Sequence, residues 1–218
     1  MFKLKFILLL FIAISIDVYA QKLTPDEKIV FNEIVFKRRK AGEYETLSKW
    51  VVPIRYKIYG DTSLYLVKEV DSFFNQIRKL TELDIKKATS DTEENYQIVF
   101  GNNPEDFESY TLSKTPLTSP GSYRIKSTKL SEIYWGQNLI NIKKFGNRAN
   151  AKNFFRRNII KTLGFLNNSK LAPNSVFTIL NSNLVKLDEF DGHIISALYL
   201  QAIKPGMTPD EVDKILSP

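Results

Sequence analysis

Few residues in this chain are placed to do chemistry. There is no cysteine, so thiol catalysis, thiolate metal sites and disulfides are excluded. The only histidine is His193. A lone histidine is more often a hydrogen-bonded or surface residue than a catalyst, and a metal site would need partners elsewhere. Asp188, Glu189 and Asp191 put three acids within four residues. They are able to bind a cation, but acids at the start of a helix also cap it and complement its dipole, and the spacing favours that reading. No Gly-rich phosphate loop, G-x-S-x-G elbow or EF-hand loop is present. Serines are plentiful, but none stands in a nucleophile motif. A hydrolase built on carboxylates, with Glu132 and an acid of the loop 105–122, remains an alternative, although nothing singles out a pair. Asn167-Asn168-Ser169 matches the glycosylation acceptor pattern and is read as chance.

Hydrophobic periodicity places the elements around these residues. Thr24-Pro25-Asp26-Glu27 is a capping box with proline at the first helical position. Ile29, Val30, Ile34 and Val35 continue it at helical spacing, and Gly42 ends it. The basic run 37–40 falls in the last turn, where cations complement the dipole. With no aromatic-interleaved basic stripe elsewhere, nucleic acid is not expected as a partner. Residues 50–59 predict a strand, with Ile54, Tyr56 and Ile58 on one face. Residues 64–80 form a strongly amphipathic helix through Leu66, Val70, Phe73, Phe74 and Ile77. A second strand spans 96–100, a long loop with one helical turn spans 105–122, and a third strand spans 132–143, interrupted by a bulge or turn at Gly136-Gln137-Asn138. Helices follow at 150–163, at 187–200 with Asp188 as N-cap, and from the second capping box, Thr208-Pro209-Asp210-Glu211, to Leu216. Few strands with helices grouped after them indicate an α+β fold.

The N-terminus reads as a signal for export. Lys3 and Lys5 precede an apolar run at 6–16, and Val18-Tyr19-Ala20 forms a cleavage site before Gln21. The run is shorter than the ~20 residues needed to span a bilayer. Residues 1–20 are therefore expected to be a signal peptide, 21–47 an N-terminal helix and linker, and 48–218 one domain. Removing Lys3, Lys5 and Asp17 takes the net charge from +7 to +6, which permits anionic partners without requiring them. No later stretch is long and apolar enough to cross a membrane. The expected location is periplasmic or extracellular, and the expected state monomeric.

Several motifs carry a family likeness. They are Lys49-Trp50-x-x-Pro53-Ile54-x-Tyr56-x-Ile58-x-Gly60 and Leu80-Thr81-Glu82-Leu83-Asp84-Ile85, followed by Leu163-Gly164-Phe165-Leu166-Asn167-Asn168-Ser169 and Asn174-Ser175-Val176-Phe177. Asp191 with Leu198-Tyr199, and residues 205–212, complete the set. Together they resemble the exported bacterial domain-of-unknown-function family 2927, from about residue 48 to the C-terminus. That family in turn looks like a relative of the matrixin-type zinc metallopeptidases, whose active-site helix carries H-E-x-x-H-x-x-G-x-x-H before a Ser/Met turn. Two histidines one turn apart bind Zn²⁺, and the glutamate activates the metal-bound water.

Anchored on Gly164, this resemblance puts Arg157 and Lys161 at the first two ligand positions, Asn158 at the base and Asn167 at the third ligand. Phe177 stands at the turn methionine. Arginine does not ligate zinc, two cations repel a dication, and an amide is no general base. The resemblance therefore implies a zincin-like scaffold without metal, cofactor or catalytic residue. Its vestigial cleft of Arg157, Asn158, Lys161 and Asn167 would bind a peptide, protein or other polar ligand, with an exposed edge strand within 132–143 as a peptide acceptor. Two alternatives stand beside it. In one, Phe155, Ile159 and Leu163 bury an ordinary helix whose Arg157 and Lys161 form a solvated face. In the other, the protein is a structural component of an envelope assembly.

Overall fold

The computed structural model describes residues 22–36, 46–178 and 187–217. The expected signal peptide, the basic run 37–40 and Gly42 lie outside the described residues. Helix α1 (Pro25–Val35) opens on the Thr24/Glu27 capping box. It buries Val30, Phe31, Ile34 and Val35, and Ile29, expected on that stripe, is 54% exposed. The reason is register: Glu27, Val30, Phe31 and Ile34 follow the i, i+3, i+4, i+7 spacing, and Ile29 falls outside it.

The expected strand at 50–59 is two strands, β1 (Lys49–Trp50) and β2 (Ile54–Gly60), separated around Pro53. Helix α2 (Leu64–Thr81) leads to β3 (Ile85–Lys87), then β4 (Tyr96–Gly101), a 3-10 turn (Pro104–Tyr110), β5 (Gly121–Ser127) and β6 (Glu132–Asn141). Helices α3 (Arg148–Thr162), α4 (Glu189–Tyr199) and α5 (Pro209–Leu216) complete the chain. The fold is α+β, with helix α3 packed on one mostly parallel sheet and a helical C-terminal part. The sheet has six strands, more than the three or four legible in the sequence. The order is β1-β6-β4-β2-β3, with β5 antiparallel on the other side of β6.

Two expectations change here. The edge strand is β5, not the 132–143 segment. β6 is flanked by β4 and β1 on one side and by β5 on the other. Gly136-Gln137-Asn138 is neither bulge nor turn but continuous ladder opposite Tyr96, Gln97 and Ile98. Glycine is needed at 136 because a Cβ there would lie 2.7 Å from the Tyr96 ring. The irregularity falls instead at Tyr134, skipped in the pairing of Lys126 with Trp135 and Ser127 with Ile133.

Alternation along the strands sends Ile54, Tyr56, Tyr96, Ile98, Phe100 and Ile140 into the main core beneath α2 and α3. Phe155 of α3 packs between Phe100 and Phe73, with ring centroids 5.6 and 6.3 Å away. On the opposite face Val99, Leu139, Phe107 and Leu117 form a smaller cluster under the 3-10 turn.

Candidate functional site

Helix α3 is fixed at both ends. The Asn147 side chain caps its start by accepting from the Asn150 N–H at 2.9 Å. At its end, Trp50 Nε1 donates to the Thr162 carbonyl at 2.8 Å and the Tyr199 hydroxyl donates to the Leu163 carbonyl at 2.7 Å. Gly164 then turns the chain at φ +115°, and a Cβ there would lie 2.2 Å from the Ser48 carbonyl oxygen. Beside Trp50, Lys49 is almost fully buried. Its ammonium donates to the carbonyls of Leu198, Leu200 and Ile203 at 3.1, 3.2 and 2.8 Å, closing the end of α4. Burial, with the nearby Lys204 charge, lowers its pKa to about 8. The Lys49-Trp50 pair is thus a structural clasp across α3 and α4.

The four cleft positions divide. Arg157 and Lys161 are neighbours on α3, and both are half-buried rather than forming a solvated face. Arg157 Nη1 donates to the Thr178 carbonyl at 3.3 Å. Lys161 Nζ donates to the Leu166 carbonyl at 3.4 Å and lies 5.8 Å from the centre of the Tyr123 ring on β5. Burial, then repulsion from Arg157, pulls the Lys161 ammonium down to about 8. Asn158 is buried, and its Nδ2 has no hydrogen-bond partner among the described residues. Asn167 is turned elsewhere: its amide donates to the Glu33 and Phe36 carbonyls at the end of α1.

Sequence reasoning missed two features. One is Tyr123, because β5 lay partly inside a segment read as loop. The other is a buried polar chain under α3. Asn138 Nδ2 donates to the Tyr96 hydroxyl, and that hydroxyl donates to Thr162 Oγ1, each over 2.5 Å. Thr162 in turn donates to the Ile159 carbonyl at 2.7 Å. Only pairing across distant strands brings these residues together, so no local signal marks them.

The Ser175 turn is tied to α4. Ser175 Oγ donates to Asp191 Oδ1 at 2.5 Å, and the Val176 N–H donates to the same oxygen at 3.1 Å. Burial pushes the Asp191 carboxyl up to about 6, against the lowering effect of the Ser175 bond. Asp188 caps α4 as expected, and His193 Nδ1 sits 2.7 Å from Glu27 on α1. The acids and the lone histidine therefore hold elements together.

The positions aligned with zinc ligands do not fit zinc. Two are cations already donating to carbonyls, and the third is an amide engaged with α1. Among the described residues no group of three or more His, Asp or Glu is placed to hold a metal ion. No described helix is long and apolar enough to cross a membrane. What this ledge on α3 offers is two neighbouring half-buried cations, one of them, Lys161, set against the edge strand, able to make charge-assisted hydrogen bonds.

Fold and site together define an α+β protein whose helix α3 carries two half-buried cations, not metal ligands, beside an antiparallel edge strand. The family model for proteins of unknown function designated DUF2927 matches residues 28–218, and the chain belongs to that family. No individual curated protein matches it.

Proposed function

We propose that this is an exported, non-catalytic protein on a zincin-like scaffold, which binds an extended peptide along β5. An acidic side chain or free C-terminus of the peptide would face Lys161 and Arg157. The observation that carries the reading is the Lys161–Tyr123 contact, which sets a half-buried cation against an edge strand. No backbone hydrogen bond among the described residues engages the outer side of β5. Among the described residues, apart from the Ser119 hydroxyl donating to the Gly121 carbonyl at 3.0 Å, that leaves the outward N–H and C=O groups of β5 available for strand addition. The scaffold part of the reading is supported by the antiparallel edge strand above α3, the sharp glycine turn after it and the Ser175–Asp191 tie. Export is supported by the pattern of residues 1–20, and a periplasmic or extracellular location follows from it.

The test is an array of extended peptides, acidic or neutral, with free or amidated C-termini. Acidic and free-C-terminal members should bind, and Lys161→Ala with Tyr123→Ala should weaken them about tenfold or more. Equal binding of neutral amidated peptides, or an unchanged affinity in the double variant, would show the reading to be wrong.

A further inference from the structure

A second cleft opens at the carboxyl ends of the parallel strands, at the other end of α3. Here the connections diverge. β2 leads through α2 to β3 on one side, and β4 leads through the 3-10 turn and β5 to β6 on the other. Such divergence leaves a crevice outside the strand ends. In this protein it has two adjoining parts. The inner one is a cavity of about 250 Å³ walled by Leu66, Phe100, Ile140 and Phe155. The outer one is about 420 Å³ and carries Asp61, Ser63 and Asn147. Tyr65, Ile142 and Arg148 line both.

The chemistry is graded from one part to the other. Apart from Arg148, which it shares with the mouth, the throat carries two charged residues, Glu69 and Lys152, and they pair with each other at 2.8 Å, with Arg156 also holding Glu69 at 2.7 Å. At the mouth the Arg148 guanidinium stacks 4.5 Å over the Tyr65 ring. No ion pair neutralises it among the described residues. Ser63 Oγ is buried without a hydrogen-bond partner among the described residues. Asp61, the one acid at the mouth, accepts from the Ser63 N–H at 2.9 Å. The mouth thus offers a positioned cation and an unused hydroxyl, while the throat offers an apolar slot of less than the ~300 Å³ typical of a drug-sized site. Charge complementarity selects an anionic head, and the slot selects a slender aliphatic tail.

We infer that this cleft binds a single-tailed amphiphilic carboxylate, with its head at Arg148 and Ser63 and its tail between Phe100, Ile140 and Phe155. The site is independent of the β5 ledge, so either reading can fail alone.

Titration calorimetry of the purified protein with decanoate below its micellar concentration tests it. Decanoate should bind one-to-one, with decanol and acetate each about tenfold weaker or more. Arg148 and Ala149 are both exposed, so Ala149→Trp should leave the thermal melt unchanged, and Arg148→Ala, which gives up the stack on Tyr65, should lower it by no more than a few degrees. Each should weaken decanoate about tenfold, the first by removing the head contact and the second by blocking the mouth. The inference is overturned by the absence of saturable binding, by decanol or acetate matching decanoate, or by both folded variants binding like the parent protein.

Discussion

The Lys161 ammonium and the Tyr123 hydroxyl converge on one carbonyl, that of Leu166, at 3.4 and 3.3 Å. This shared acceptor ties α3 to β5 and holds the cation at the strand edge. Its charge sets a pH dependence. With a pKa of about 8, Lys161 is protonated below that value and loses its charge above it. Affinity for an acidic peptide should be flat from pH 6 to 7.5 and fall as pH rises through about 8. In Lys161→Arg the fall should move beyond pH 10. Fluorescence anisotropy with one labelled peptide across this range checks both.

The same residue carries a stability signature of its own. Its folded pKa, about 8, lies below the ordinary 10.5. Between those values the unfolded chain binds more protons, so stability rises with pH across that window. Lys49 adds a similar rise. Lys161→Met should raise the urea midpoint at pH 7, because it removes a charge held out of water. It should also reduce the gain between pH 8 and 10.5. Urea titrations at half-unit pH intervals show both effects.

Asp191 should behave in the opposite sense. Its folded pKa, about 6, lies above the ordinary 3.8. The folded state binds the extra proton between these values. The contribution is fully present below about 3.8 and is lost as pH rises through about 6. Relative to Asp191→Asn, the parent protein should lose stability from pH 4 to 6 and show a constant difference above. Chemical denaturation of both proteins from pH 4 to 7.5 measures this.

Lys49→Met should be costly despite removing a buried charge. It takes the ammonium donor from three carbonyls at the end of α4, although that of Leu200 keeps the Ile203 N–H at 3.1 Å. The expected loss is about 2–4 kcal/mol, which at about 2–4 °C per kcal/mol for a chain of this size is readily seen in a thermal melt.

Gly164→Ala tests the turn after α3. It combines a positive φ with a Cβ 2.2 Å from the Ser48 oxygen. The strain alone is worth about 1–3 kcal/mol, and the clash with backbone adds to it. A thermal melt of the variant should show a larger fall than Ala substitution at Gly146, where a Cβ meets nothing within 4 Å.

Local signals carried the helices well. The capping boxes at Thr24, Asp188 and Thr208 lie where the sequence puts them, because capping is decided within four residues. β3 and β5 were not legible. β3 is three residues long, with only Ile85 buried, so it has no period to detect. β5 is half-buried over its first five residues and exposed at its last two, and lacks the strict alternation of a core strand. The cleft was legible only in part. The neighbours Arg157 and Lys161 follow from helical spacing, whereas the commitment of Asn167 to α1 depends on a contact 131 residues away. Tyr123 depends on a strand that pairing, not composition, creates.

The clasp at Lys49 and Trp50 also bears on the order in which the chain can close during synthesis. Its acceptors are Thr162, Leu198, Leu200 and Ile203. The Leu47 N–H waits for the carbonyl of Met207, and Lys28 and Asn32 of α1 wait for Asp213. A ribosome adding about 5–20 residues per second therefore leaves these residues of the 28–50 segment without their partners for roughly 5 to 40 seconds. The clasp itself closes once Ile203 has emerged, and the final fifteen residues, through Met207 and Asp213, then latch Leu47 and α1 onto the finished domain.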